Sequence, residues 1–205
     1  FGTLLISDIS VLAYGLEFED IIVCRIYDEE FNYLFEKDNV AAARAQDEMD
    51  QVLEINTYTI KSEKLPSEFS GFRIAHVSDL HNAEMGNNNE KLLSLLEEVK
   101  PDIIAITGDI MDTDGEYSGA YSFIDGASDI APCYFVTGNH EAGISEDSYK
   151  QLEKYMKEQG VCVLHSEEVL IERGGAQISV AGFEDPAYSM KYDGLNVSSL
   201  DAEHI

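Results

Sequence analysis

The chain has 205 residues, with 40 acidic and 13 basic side chains, and its formal net charge at pH 7 is -27. Its 44% hydrophobic and 10% aromatic residues are typical of a globular protein and not of a disordered one. So acidic a chain lacks the lysine and arginine clusters that bind nucleic-acid backbones or anionic membranes, which disfavours nucleic acid as a partner. We interpret most of this charge as a solvated surface that favours solubility.

Residues 1–55 carry no motif of known chemistry. Residues 1–16 are apolar, but Asp8 interrupts them, so they are too short for a transmembrane helix, and they lack the basic start of a signal peptide. The pattern predicts a short strand over residues 21–26 and a helix over residues 40–53. An acidic, aromatic stretch separates the two.

From residue 56 onwards, predicted strands and helices alternate. Residues 56–65 alternate apolar and polar side chains and are predicted to form an edge strand beside the next strand. Three apolar runs are predicted as buried parallel strands, at residues 72–77, 103–106 and 133–136. Helical patterns cover residues 90–99, 121–127 and 145–156. Three short strands follow at residues 161–164, 168–172 and 177–180, with Gly174-Gly175 as a hairpin turn.

Polar side chains of one chemical kind follow each of the three buried strands. Asp79 and His81 follow the first, Asp109 the second, and Asn139 and His140 the third. Asp79, Asp109 and Asn139 are separated by steps of 30 residues, which is the length of a βαβ unit. Because parallel strands end at the same edge of a sheet, we expect the three segments that carry these residues, the cassettes 78–81, 107–109 and 137–141, to converge on one rim.

Carboxylates, neutral imidazole and an amide oxygen suit Mn, Fe or Zn ions. A carboxylate such as Asp109 has two oxygens and can bridge two cations, and such a pair can clamp both oxygens of a phosphoryl transfer. His140 could equally be a metal ligand or an acid that faces a phosphate. Asp112 and Asp114, in the loop after Asp109, could touch an outer shell of the site, but a solvated acidic loop is the favoured interpretation.

Other polar residues near the cassettes have structural interpretations. Glu141 is expected to support its loop and not to catalyse. His76 lies inside a predicted strand and is expected to be a core histidine, whereas His165 is expected at the surface. Asn89 is expected to be an ordinary cap or loop residue.

The three cassettes resemble the first motifs of the calcineurin-like metallophosphoesterase superfamily, which are D-x-H, G-D and G-N-H-E. Over residues 56–190 the chain is similar to the branch of small bacterial enzymes with a membrane-anchored N-terminus, including the turn Gly182-Phe183-Glu184-Asp185-Pro186. The resemblance implies an α/β fold, a sandwich of β-sheets flanked by helices with an N-terminal βαβαβ half. It also implies a metal-dependent phosphomonoesterase or phosphodiesterase, whose dinuclear centre activates water for in-line attack on phosphorus.

The resemblance assigns a role to each candidate residue. Asp79 and His81 would hold one metal, Asp109 would bridge both, and Asn139 would hold the second through its amide oxygen. His140 would not be a ligand but would stabilise charge on the phosphate or protonate the leaving group. Two divalent ions, Mn, Fe or Zn, are implied, with a small phosphoester substrate such as a nucleotide or a lipid head group.

The chain departs from the family pattern after the third cassette. The later lone histidine and the final Gly-His-x-His are not found, and His165 and His204 do not match them. We therefore expect a fragment at both ends, in which residues 1–55 form an acidic appendage and residues 56–205 the N-terminal portion of the enzyme domain. The alternative is a catalytically incomplete fragment that binds metal or a partner.

Location and assembly follow only from the resemblance. The branch implies membrane association through an anchor that these residues do not include, and without one a cytoplasmic protein is expected. The oligomeric state is not indicated by the sequence.

Overall fold

A computed structural model describes residues 3–7, 10–14, 16–27, 52–112 and 117–192. The strands within these ranges are β1 Thr3–Ser7, β2 Ser10–Tyr14, β3 Leu16–Tyr27, β4 Val52–Glu63, β5 Arg73–Val77, β6 Ile103–Thr107, β7 Cys133–Val136, β8 Cys162–Val163, β9 Glu168–Arg173 and β10 Ala176–Gly182. The helices are α1 Glu90–Val99, α2 Ser118–Ile130, α3 Asn139–Gly143, α4 Glu146–Glu158 and α5 Pro186–Tyr192.

The strands form two sheets. The larger has the order β4-β3-β5-β6-β7-β8, in which β3, β5, β6, β7 and β8 are parallel and β4 is antiparallel. The smaller has the order β2-β1-β10-β9, with β1 and β10 parallel. This α/β architecture, with a βαβαβ unit over β5-α1-β6-α2-β7, confirms the predicted fold class.

The central strands are buried on both faces because alternate side chains enter two different cores. On one face, Ile74, Ala105 and Val136 pack with Ile178 and Val180 of β10, so this core lies between the two sheets. On the other face, a second core joins the larger sheet to its helices. That core includes Ala75, Val77, Ile104, Ile106 and Phe135 from the strands, and Leu92, Leu96, Phe123, Ile124, Leu152 and Met156 from the helices.

Most predicted elements of the second half are confirmed. The helices over residues 90–99, 121–127 and 145–156 correspond to α1, α2 and α4. Ser145 caps α4, because its Oγ accepts a hydrogen bond of 3.1 Å from the backbone N–H of Ser148. The hairpin of β9 and β10 turns at Gly174-Gly175 as expected. Two helices were missed, the short α3 inside the third cassette and α5 in a stretch without a clear pattern.

Two predictions for the first half of the chain are wrong in part. The strand over residues 21–26 is confirmed within β3, but Val52 and Leu53 belong to β4 and not to the end of a helix. The remainder of that predicted helix, residues 40–51, lies outside the described residues. The predicted edge strand does not lie beside β5, because β3 occupies that place and pairs with both β4 and β5.

The division of the chain at residue 55 stays a prediction. Pairing of β1 with β10 and of β3 with β5 brings strands from before residue 55 into both sheets. Among the described ranges, no helix is both long and apolar enough to cross a membrane.

Candidate metal centre

The three cassettes lie side by side because β5, β6 and β7 are adjacent parallel strands that end at one edge. Backbone hydrogen bonds join the first cassette to the second. The N–H of Asp79 donates to the carbonyl of Gly108 at 3.3 Å, and the N–H of His81 donates to that of Asp109 at 2.9 Å. The two loops therefore run together beyond the ends of their strands.

Two glycines allow the second and third cassettes to touch. A Cβ at Gly108 would lie 2.2 Å from the backbone nitrogen of Gly138, and the φ of Gly108 is +85°. A Cβ at Gly138 would lie 2.3 Å from Oδ1 of Asp109. Real Cβ atoms do not approach so closely, so a larger residue at Gly108 would displace the backbone of Gly138, and one at Gly138 would displace Asp109.

Glu141 joins the same two loops from within. It is completely buried, and its carboxylate accepts four backbone hydrogen bonds. Oε2 accepts from Asp109 and Gly138, both at 2.8 Å, and Oε1 accepts from Ile110 at 3.0 Å and Met111 at 3.3 Å. Burial and the charge of Asp109 raise the pKa of Glu141, while these N–H donors lower it. Glu141 thus supports the loops, as predicted.

Three candidate ligands converge at this rim. Atoms of His81, Asp109 and His140 that can bind a metal all lie within 4.8 Å of one another. The Asp109 side chain is buried, and its Oδ1 accepts a hydrogen bond of 2.8 Å from the backbone N–H of His140. The rings of His81 and His140 meet edge to face, with centroids 4.4 Å apart.

The other two candidates differ in exposure and contacts. Oδ1 of Asp79 lies 3.8 Å from Nε2 of His81, and the Asp79 side chain is 61% exposed. Asn139 is the exposed first residue of α3. The metal-binding role of its amide stays a prediction.

The electrostatics of the rim favour a bound cation. Burial raises the pKa of Asp109, against the N–H donor of His140. Burial opposes the charge of Asp79 as well, but interactions with His81 and Ser78 outweigh it and lower the pKa of that carboxyl. Burial disfavours the His81 imidazolium, but Asp79 and Asp109 raise the pKa of His81. A divalent cation would offset the negative charge of the Asp79 and Asp109 carboxylates.

The backbone of the cassettes is also unusual. Asp79, His81, Asn82 and Asp109 have φ of +57°, +45°, +60° and +51°, a region that non-glycine residues seldom adopt. Such conformations persist where the surrounding contacts impose them, and they occur often at functional sites. Here those contacts are the paired loops and the Glu141 carboxylate.

The residues present fit a divalent metal. Carboxylate and imidazole donors within a few ångströms of one another are the set that Mn, Fe and Zn prefer. In addition, Oδ1 of Asn82 is buried and lacks a hydrogen-bond partner among the described residues. A hydrated cation beside His81 would supply a donor for such an atom.

For Asp112 the favoured interpretation, a solvated acidic loop, is wrong, and the alternative contact with the site is the one observed. Its Oδ1 lies 3.1 Å from Nδ1 of His140, and both side chains are partly buried. Asp112 therefore orients the His140 ring. The sequence feature that could have indicated this contact is the position of Asp112, which lies three residues after Asp109 and follows two buried apolar residues. Asp114 lies outside the described residues.

Two further histidines differ in their surroundings. His76 is buried, as predicted, and its Nε2 lies 2.6 Å from Oγ1 of Thr107. His165 was expected at the surface, but its ring is 30% exposed and lies between two glutamates. Its Nδ1 is 2.5 Å from Glu184 and its Nε2 is 3.2 Å from Glu153.

Comparison with known proteins identifies several that are similar to this chain. The sequence profile of the calcineurin-like phosphoesterase family matches residues 72–201. The uncharacterized metallophosphoesterase YkoQ of Bacillus subtilis is 28% identical over 137 residues, which cover 65% of this chain and 50% of that protein. YkuE of the same organism, also an uncharacterized metallophosphoesterase, is 30% identical over 143 residues, covering 65% and 48%.

A relative from Danio rerio, a transmembrane protein with metallophosphoesterase domain, is 29% identical over 145 residues, covering 66% of this chain and 32% of that protein. This chain therefore spans about half or less of the length of these relatives. The solved phosphopantetheinyl hydrolase of Mycobacterium tuberculosis covers 53% of this chain and 41% of its own, at 20% identity and a TM-score of 0.39. That likeness is too low to inform on function.

Proposed function

We propose that this chain, which belongs to the calcineurin-like phosphoesterase family, hydrolyses a small phosphoester with two divalent metal ions held at the rim of its larger sheet. The observation that carries the proposal is the convergence of His81, Asp109 and His140 within 4.8 Å at the ends of adjacent strands. Metal-dependent phosphoester hydrolysis is the chemistry of the family. The number of ions and the role of each residue are part of the proposal.

The three cassettes divide the metal ligands among them. Asp79 and His81 would hold one ion, Asn139 would hold the second, and Asp109 would contribute to both. Donors of this kind suit Mn, Fe or Zn. When bound, such ions would lower the pKa of a water molecule for in-line attack. They would also neutralise charge that develops on the phosphoryl oxygens.

His140 acts as the general acid or as a donor to the phosphate. Its Nδ1 lies 3.1 Å from Oδ1 of Asp112, and this contact fixes the ring orientation. A proton for the leaving oxygen would then come from Nε2. The backbone N–H of His140 donates to Asp109, so the acid and the bridging ligand are held in a fixed relation.

The substrate is proposed to be a small phosphomonoester or phosphodiester. The net charge of -27 disfavours a polyanionic nucleic acid, whereas a nucleotide or a lipid head group carries few charges. The exposed side chain of Asp79 is consistent with a centre open to solvent. Membrane association is proposed by analogy with the Danio rerio relative and the resembled bacterial branch.

The test is Mn²⁺-dependent hydrolysis of p-nitrophenyl phosphate and bis-p-nitrophenyl phosphate by the 205-residue chain, with calorimetric Mn²⁺ binding measured in parallel. Asp109→Ala should lower turnover by about 100-fold or more and weaken Mn²⁺ binding, because it removes the bridging ligand. The matched control is Asp129→Ala, which changes an exposed carboxylate of α2 and should alter neither.

Three results distinguish the alternatives. Turnover that is lost in Asp109→Ala and kept in Asp129→Ala supports the proposal, and the preferred ester narrows the substrate class. Turnover that survives in Asp109→Ala contradicts the assigned centre. Failure of the wild-type chain to hydrolyse either ester, with weak or no Mn²⁺ binding, would favour the catalytically incomplete fragment.

A further inference from the structure

The segment from Gly182 to Lys191 supplies no ligand to the proposed centre, yet it contacts the third cassette at both ends. Before α3, the N–H of Asp185 donates to the carbonyl of Thr137 at 3.0 Å. At the C-terminal end of α3, the Lys191 ammonium donates to the carbonyls of Ala142 at 2.5 Å and Ile144 at 2.8 Å. The residues between these contacts include Asn139, His140 and Glu141.

Gly182 brings this segment close to the ends of the larger sheet. A Cβ at this position would lie 2.4 Å from Cβ of Leu164 and 2.7 Å from Cγ1 of Val136, so the chain packs directly on the ends of β7 and β8. The N–H of Gly182 also donates to the carbonyl of Glu167 at 2.9 Å. The segment therefore leaves β10 at a defined place beside the third cassette.

Asp185 and Pro186 then start α5. Oδ1 of Asp185 accepts a hydrogen bond of 2.7 Å from Ala187, and Pro186 occupies the first helical position, where no N–H is needed. Tyr188 is buried against Tyr149, with ring centroids 4.8 Å apart. These contacts seat α5 against α4 and α3, so Lys191 extends from an anchored helix.

Lys191 supplies hydrogen-bond donors to the C-terminal end of α3. The helix has five residues, too few to be stable alone, and its last carbonyls have no partners inside it. An ammonium group at the C-terminal end satisfies such carbonyls and interacts favourably with their partial negative charge. Because His140 lies one turn earlier in α3, displacement of this end would tilt its ring away from Asp112.

We infer that the segment Gly182–Lys191 is a brace for the third cassette and that Lys191 is a positioning residue for His140 and Asn139. The inference rests on the proposed function, because the side chains it positions belong to that site. It also gives a structural role to the Gly-x-x-Asp-Pro turn, which contributes no ligand to the proposed metal centre. Lys191 touches neither substrate nor metal and acts through the backbone of α3.

The test compares Lys191→Met, which keeps the aliphatic chain and removes the ammonium, with Lys191→Arg, which retains a cationic donor. The matched control is Lys154→Met on α4, where the side chain is 77% exposed and its ammonium lies 3.7 Å from Glu158. The first readout is the ring signal of His140 in histidine-labelled, metal-free protein, assigned by its loss in His140→Gln. This readout needs neither metal nor turnover.

Lys191→Met should shift the His140 signal and weaken Mn²⁺ binding about tenfold, with kcat about tenfold lower and KM nearly unchanged. Lys191→Arg should restore all of these values, and Lys154→Met should leave them at wild-type values. Asp185→Ala, which removes the cap of α5, should shift the same His140 signal through a different contact. It also serves as the test if Lys191→Met does not fold.

An unchanged His140 signal and unchanged Mn²⁺ affinity in folded Lys191→Met would overturn the inference, even if the variant melted at a lower temperature. An equal change in Lys154→Met would overturn it as well. If wild-type protein binds Mn²⁺ but hydrolyses neither ester, the proposed function fails, while a shifted His140 signal in Lys191→Met would still support the brace.

Discussion

Glu141 shows how one buried side chain can determine the shape of a metal site that it does not enter. Its two oxygens accept hydrogen bonds from the backbone of Asp109, Ile110, Met111 and Gly138. Loops in left-handed conformations cannot satisfy their N–H groups as a helix or sheet does, so a carboxylate takes the place of backbone carbonyls. The position of Asp109 therefore depends on a residue 32 positions away.

We predict that Glu141→Gln destabilises the protein by about 2–4 kcal/mol, because the amide NH₂ would face two backbone donors and leave them unsatisfied. Urea unfolding followed by circular dichroism measures the change. Glu98→Gln alters an exposed glutamate of α1 and should stay within about 0.5 kcal/mol of wild type. Equal stability of the two variants would contradict the role given to Glu141.

We predict that Asp112→Asn lowers kcat by about ten- to a hundredfold and leaves Mn²⁺ affinity nearly unchanged. The amide keeps the size of the side chain but removes the carboxylate that orients the His140 ring. Steady-state kinetics and calorimetric Mn²⁺ binding measure the two quantities. Asp129→Asn, at an exposed site of α2, is the control, and a wild-type kcat in Asp112→Asn would argue against the Asp112–His140 pair.

At the scale of elements, His165 connects three segments that are far apart in sequence. It follows β8, and its ring nitrogens face Glu153 of α4 and Glu184 of the turn after β10. The hydrogen bond with Glu184, together with the charges of both glutamates, outweighs burial and raises the pKa of His165. Lys157 and His165 likewise outweigh burial and lower the pKa of Glu153.

This pair of contacts predicts a pH dependence of stability. A histidine whose pKa is raised by folding contributes its full stabilisation below its unfolded pKa of about 6.5, and loses it as pH rises through the folded-state value. His165→Gln should therefore lower the free energy of unfolding more at about pH 5.5 than at about pH 9.

Taking the difference between variant and wild type at each pH largely cancels the titration of the other histidines. The measurement is urea unfolding at both pH values. A difference that is equal at the two values, or larger at the higher one, would show that His165 is not held as an imidazolium between the two glutamates.

At the scale of the molecule, the net charge of -27 is the dominant feature. Part of this negative charge lies at the candidate metal centre, which is surrounded by Asp79, Asp109 and Asp112. The remainder opposes the compact state through repulsion between like charges. Exposed lysine–glutamate pairs on α4, such as Lys154 with Glu158, contribute little against this total.

We predict that NaCl stabilises the protein, because the screening length falls from about 30 Å at 0.01 M to about 10 Å at 0.1 M and repulsion weakens with it. The midpoint of thermal unfolding should rise across this range, measured with metal removed by chelation. A midpoint that falls or stays constant would mean that the acidic side chains are already balanced in local pairs.

The sequence by itself determined the βαβαβ unit and the rim on which the cassettes lie. Fully apolar runs such as residues 103–106, each followed by a helix pattern, indicate parallel strands from local periodicity alone. The order of the cassettes also indicated the family, and the family profile confirmed it. These features are local because a strand, its turn and the ligand that follows occupy fewer than about ten consecutive residues.

Only the tertiary structure decided the contacts that join distant parts of the chain. It inserted β3 between β4 and β5, paired Asp112 with His140, placed His165 between two glutamates, and brought Lys191 to the end of α3. Hydrogen bonds of this kind join residues 12 to 49 positions apart. The periodicity of apolar residues does not indicate such partners, because each contact depends on how sheets and helices pack and not on any local preference.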